Sequence, residues 1–149
     1  MRLIIAIGLL FSILGAAEIS LETPVGTVKS YYYAMNHADI DLLEKVMVKE
    51  SFDMTLQVWA LSKALNDKAF SQLLKQYGNS VEIDVQVRDA VKEKLQNSPA
   101  KTITDLIATP LGGSRCMIRY KENGKDKQLF TSREQKVWKI NYKAGRKVD

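Results

Sequence analysis

The chain has one cysteine and one histidine in 149 residues, and each scarcity removes a class of chemistry. A single thiol, Cys116, forms no intrachain disulfide, so stability has to come from packing. With His37 as the only imidazole, the three or four N/S ligands of the usual zinc clusters are missing, and neither a metal nor a cofactor is expected. A long apolar run is missing too. The longest, Leu3 to Leu14, is about a dozen residues, well short of the roughly 20 that span a bilayer as a helix.

The flanks of that run give it another meaning. Met1-Arg2 stands before it and Gly15-Ala16-Ala17 after it, the basic start and small-residue exit of a secretory signal peptide cleaved after Ala17. An uncleaved anchor is the alternative. No cysteine follows the run, so a lipoprotein anchor is not expected. The reading is therefore a signal peptide over 1–17 and one domain over 18–149, periplasmic or secreted.

Charge is unevenly placed. Glu18 to Gly113 carries ten basic and thirteen acidic residues, whereas Ser114 to Asp149 carries eleven basic and four acidic. In an exported chain such a basic half points toward anionic lipid, wall polymer or an acidic partner rather than nucleic acid. The plainer reading is a set of solvated strand and hairpin lysines.

Thr23-Pro24 is a helix start, and Val25, Val28, Tyr32 and Met35 then share one helical face. Asn36-His37-Ala38 breaks the pattern, and Asp39 can cap a second helix whose apolar side holds Ile40, Leu43 and Val46 or Met47. Ser51 to Gly78 reads as helix in two pieces, with Leu56, Trp59 and Ala60 in the first and Phe70, Leu73, Leu74 and Tyr77 in the second. Asn66-Asp67 offers the break and Gly78 the stop. Val81–Gln96 alternates like a strand at first, yet Ile83, Val87, Val91 and Leu95 recur every four residues. Asn79-x-x-Glu82 resembles a capping box and Ser98-Pro99 a terminator, so helix is preferred.

After Pro99 the runs "TITDLIA", "SRCMIRY", "KQLFTSR" and "KVWKINY" are short and β-branched or aromatic. Gly112-Gly113, Asn123-Gly124 and Glu134–Lys136 separate them, and Asn-Gly is a strong hairpin signal. Helices first and a meander afterwards predict an α+β fold, with N-terminal helices on a mainly antiparallel sheet of about four strands.

Two stretches carry a resemblance. "TPVGTVKSYYYAMNHADIDLLEKVM" resembles the opening of nuclear transport factor two-like (ketosteroid-isomerase-like, cystatin-like) domains, where an aromatic-rich first helix leads through a polar turn into a leucine-rich second. "GKDKQLFTSREQKVWKINY" is similar to their last two strands. The resemblance implies a curved sheet wrapped round the first helices, a cone whose open end holds a small apolar ligand. It implies no particular reaction, since members include isomerases, dehydratases, binding domains and structural modules. The middle, Ser51–Gln96, is longer than in the compact enzymes of that superfamily.

Each candidate residue has a functional and a plainer role. On a helix Tyr31, Tyr32 and Tyr33 point about 100° apart, so they do not all line one pocket. Tyr32 belongs to the buried face, where its hydroxyl would either steady an oxyanion or bond within the core. His37, with Asp39 or Asp41 nearby in sequence, is a candidate general base or an exposed turn residue. Cys116 shares a strand face with Ile118 and Tyr120 and is expected to be buried rather than paired with His37. Asp105 interrupts an apolar strand. Inside, it would be the best general base; the favoured phase puts Thr104, Leu106 and Ala108 inside and Asp105 in water.

Trp138, Ile140 and Tyr142 alternate toward the helices, and Tyr32, Trp59 and Trp138 are expected at the cone mouth or in the core. Met117, Arg119, Lys139 and Phe130 give the other sheet face a mixed basic and apolar character, suited to a homodimer, an envelope protein partner or solvent. The leading expectation is an exported, non-catalytic binding or accessory module for an apolar ligand or a partner protein. A small isomerase- or hydrolase-like enzyme using Asp105 or His37 with Tyr32 is the first alternative. A structural envelope protein docking an anionic surface through its basic face is the second.

Overall fold

The computed structural model describes residues 19–77 and 81–146, with side chains from residue 83 onward in the second segment. The expected signal peptide, the Gly78 stop and the Asn79-x-x-Glu82 capping box lie outside the described residues.

The helix starts follow local chemistry. Thr23 Oγ1 accepts from Gly26 N at 3.0 Å to open α1 (Pro24–Asn36), and Asp39 Oδ1 accepts from Leu42 N at 2.9 Å to open α2 (Ile40–Val46). Asp67 separates α3 (Lys49–Asn66) from α4 (Lys68–Tyr77) and caps the latter by accepting from Phe70 N at 3.0 Å. Val81–Gln96 is helix α5. Its four-residue recurrence prevails over its alternation, since Ile83, Val87 and Val91 are buried while Val85 is exposed.

Four strands follow: β1 (Ile103–Gly112), β2 (Arg115–Glu122), β3 (Lys125–Glu134) and β4 (Val137–Ile140). They form one open antiparallel sheet in chain order. Asn123 and Gly124 turn β2 into β3 with φ +49° and +80°, as a type I′ turn requires of both central residues. The molecule is thus α+β, with the N-terminal helices packed on the sheet.

Those helices do not all share that role. α1 lies across all four strands and α2 touches β4, while α3, α4 and α5 pack on one another and join the body through α1, α2 and the Tyr142 segment after β4. The shared core holds Val28, Leu43, Val46, Met47, Phe52, Ile118 and Ile140, all essentially without solvent contact. Trp138 N donates to Leu21 O at 2.8 Å, Val48 N donates to Ile140 O at 2.9 Å, and buried Thr27 Oγ1 donates to Trp138 O at 3.0 Å. On the far face of the sheet the turn after β4 folds back. There Phe130 lies so close to Gly145 that a Cβ on the latter would stand 2.5 Å from the ring, and Arg115 donates to Ala144 O and Arg146 O at 3.3 Å each.

β1 departs from simple alternation. Asp105 takes φ +57° and the register with β2 shifts between Thr104 and Ile107, a bulge. Leu106 packs on the core and Ala108 lies opposite buried Ile118, the face expected for both, although Ala108 itself is exposed; the inserted residue carries only Thr104 to the other face, opposite Lys121. Asp105 stands in water.

Candidate functional site

The most organised polar cluster of the interior is built on the α1 tyrosines. Successive helical positions send Tyr31 and Tyr32 in different directions, yet both are buried, because α1 is enclosed on more than one side. Tyr32 faces β2. Its ring meets Tyr120 edge-on at 5.6 Å, its hydroxyl lies 2.8 Å from the Tyr120 hydroxyl, and it donates to Glu122 Oε1 at 3.2 Å. A carboxylate only accepts, so the single Tyr32 proton goes to Glu122 and Tyr120 donates to Tyr32. Lys101 Nζ and Lys127 Nζ stand 3.2 Å and 3.7 Å from the same carboxylate, whose side chain is 14% exposed.

Tyr31 turns instead to Tyr142, hydroxyl to hydroxyl at 3.4 Å, and Tyr142 continues to Thr55 Oγ1 at 3.2 Å. Tyr33 stacks on His37, ring centres 4.0 Å apart.

Burial and neighbouring hydroxyls push the Tyr31 and Tyr32 hydroxyls well above their ordinary value, and burial also raises Tyr120. All three are therefore neutral donors. Burial pushes Glu122 up, but the bonds from Lys101 and Tyr32 and the charges of Lys101 and Lys127 outweigh it and hold the carboxyl below its ordinary value. No buried side-chain polar atom among the described residues lacks a partner. The cluster is a closed hydrogen-bond chain, and its hydroxyl protons are already directed at protein acceptors.

The sequence candidates for chemistry lie elsewhere. Asp105 is 64% exposed and 3.6 Å from Lys121 Nζ. His37 caps α1 at the surface, its Nδ1 2.9 Å from Tyr33 O. Since that carbonyl can only accept, Nδ1 carries a proton there. The ring borders an open cleft of 460 Å³ between the α1–α2 turn and α5, lined also by Asp39, Asp41, Arg88, Asp89 and Lys92. Arg88 there is held by Glu44 at 2.9 Å and Asp84 at 3.0 Å. Cys116 is buried in β2, burial pushes its thiol up, and it is not brought to His37 at the surface.

The three aromatics assigned to a cone mouth are not found together in the clefts beside His37, Trp59 and Gly26. Trp59 borders clefts of 370 Å³ and 260 Å³ beside α5, with Lys94 Nζ 6.0 Å from its ring centre. Tyr32 and Trp138 line neither of these clefts, nor those beside His37 and Gly26. On the outer sheet face Arg119 lies opposite Gln128 and Lys139 opposite Ser132, about 16 Å apart by strand spacing. Lys139 is paired with Glu134 at 3.4 Å.

Sequence reading missed Glu122, Lys101 and the Tyr142–Thr55 link. Glu122 was within reach: it lies two residues beyond Tyr120, so strand alternation alone puts it on the inner face. Among the described residues no group of three or more His, Cys, Asp or Glu is placed to hold a metal ion, and no helix is long and apolar enough to cross a membrane. Comparison of the chain with protein-family models, with curated proteins and with solved structures gives no match.

Proposed function

We propose that the protein is an exported, non-catalytic accessory module, similar in plan to nuclear transport factor two-like domains, that works by docking a partner protein on its surface. The observation that carries this reading is the closed chain from Tyr120 through Tyr32 to Glu122, which leaves the Tyr32 hydroxyl no proton for a ligand. The exposure of both Asp105 and His37 supports it as well, since general-base chemistry gains most where water is excluded. Export rests on the basic, apolar and small-residue order of residues 1–17.

The test is titration of the purified protein, expressed from its full sequence, with a solvatochromic naphthalene sulfonate. No saturable one-to-one binding is expected. Stoichiometric binding that Tyr32→Phe weakens tenfold or more would replace this reading with a ligand-holding cone. A second reading, docking to an anionic surface, draws on Arg119, Lys125 and Lys136, which have no ion-pair partner among the described residues. It expects sedimentation with phosphatidylglycerol vesicles that fades between low and high salt.

A further inference from the structure

We propose that the groove between α3 and α5 is a binding site for a short carboxylated saccharide. The proposal goes beyond the accessory-module reading and does not depend on it.

The groove is made by matching spacings on two helices. α3 contributes Trp59, Ser62, Lys63 and Asn66. α5 and the residue after it contribute Ala90, Glu93, Lys94 and Asn97. In each set the later members stand three, four and seven residues from the first, so each set is one helical face turned to the other. Facing positions between packed helices are normally apolar. Here six of the eight are polar or charged, and they border a cleft of 370 Å³. A second cleft, of 260 Å³, shares Trp59 and Lys94 and adds Met35, Leu95 and Pro99, so the groove continues past the indole to an apolar end. The polar groups of that second cleft are already engaged: Asn36 with the Lys101 backbone, Ser98 with Lys94 O, and Lys101 Nζ with Glu122.

The first cleft differs from the tyrosine chain in that its polar groups are unused. Asn66 donates to Ser62 O at 3.0 Å. The Ser62 hydroxyl and the side chains of Lys63, Glu93, Lys94 and Asn97 have no hydrogen-bond or ion-pair partner among the described residues. Elsewhere in this layer Lys49 is held by Asp53, and Arg88 by Glu44 and Asp84. Lys63 and Lys94 rest on rings instead, 5.5 Å from the centre of Phe70 and 6.0 Å from that of Trp59.

This set of groups selects the ligand. Two ammonium groups without a carboxylate favour an acid. Glu93 only accepts, so it favours hydroxyl donors and disfavours a purely anionic lipid or acidic peptide. Ser62 and Asn97 both donate and accept, as ring hydroxyls do. Trp59 supplies a flat apolar surface, and a carboxylate bonded to the Lys94 ammonium above it brings its own ring to the indole. A sugar acid carries the carboxylate, the hydroxyls and the apolar ring face together. The volume of the first cleft falls within the roughly 300–1,000 Å³ of small-molecule sites, and its lining is more polar than theirs usually is, as a hydroxylated ligand requires.

Isothermal titration calorimetry of the protein expressed from its full sequence with trigalacturonic acid should show one-to-one binding with a Kd of about 10⁻⁴ M. The fully methyl-esterified trimer keeps the rings and loses the charge, and should bind about tenfold more weakly. Lys94→Gln should weaken the acid by a similar factor and leave the ester unchanged, with an unaltered circular dichroism spectrum because that side chain is exposed. Trp59→Leu should weaken both. Tyr32→Phe should weaken neither, which separates this groove from a ligand-holding cone. N-acetylmuramic acid, whose carboxylate hangs from a lactyl arm, tells a wall sugar from a uronate, and saturation by either supports the site. Saturation by neither at about 10⁻² M, a hundredfold above that Kd, overturns the proposal, as does equal binding of the acid and its ester. Binding of poly-glutamate as tight as that of the trimer overturns it too and reassigns the groove to an acidic peptide.

Discussion

Around α1 and the sheet, polar groups find partners inside the molecule; in the layer of α3 to α5, apolar groups remain outside it. The difference comes from neighbours. α1 is held between the sheet on one side and the returning Tyr142 segment and helical layer on the others, so even its adjacent tyrosines are both covered. α3 packs on α2, α4 and α5 and, through Ser51 and Thr55, on Tyr142, while the stripe of Met54, Val58, Leu61 and Leu65 on its other side is exposed among the described residues. The first region holds the fold together, and the second has the surface to spare for contact with something else.

The most direct way to break this comparison is to remove matching side chains from the two regions. Ile118, wholly buried on β2, should lose about 3 kcal/mol of stability as Ile118→Ala, measured by urea unfolding, because a cavity is left in the packed layer beneath α1. A loss under about 1 kcal/mol would mean that the sheet interior is loose.

The hydrogen-bond chain gives a smaller, pH-dependent effect. Glu122→Gln should cost about 1–2 kcal/mol near neutral pH by weakening the bonds from Tyr32 and Lys101. The folded carboxyl titrates below its ordinary value of 4.5. Its contribution is therefore fully present above that value and is lost as pH falls through the lower, folded one. The gap between wild type and Glu122→Gln should accordingly shrink in acid. A gap that widens there would mean the carboxyl is raised rather than lowered.

At the small end, Leu65→Ala on α3 should change monomer stability by no more than about 0.5 kcal/mol, because its side chain is already in water. An effect as large as that of Ile118→Ala would place the stripe inside a core and dissolve the contrast between the two regions.

Features set by a few neighbouring residues were legible in the sequence. Thr23, Asp39 and Asp67 cap where their side chains reach their own backbone, and Asn123-Gly124 turns where positive φ costs least. Alternation placed Cys116, Ile118 and Tyr120 on one face. Features set at long range were not. Tyr31 is buried by Tyr142, 111 residues away, and no helical period contains that information. The phase of β1 differs from expectation at Thr104 because one residue in a left-handed conformation, Asp105, shifts the register without any glycine to announce it. In α3 two apolar sides are visible in the sequence, and only the packing of α4 and α5 decides which becomes core.

The contacts along β4 have one more consequence. Leu21 and Val48 occupy backbone groups on the outer side of that strand, and at the opposite margin β1 offers Pro110, without an N–H, next to a kinked Asp105. A strand arriving from another molecule finds no straight, vacant ladder on either side. Neither margin of the sheet therefore invites copies to fuse edge to edge into fibres.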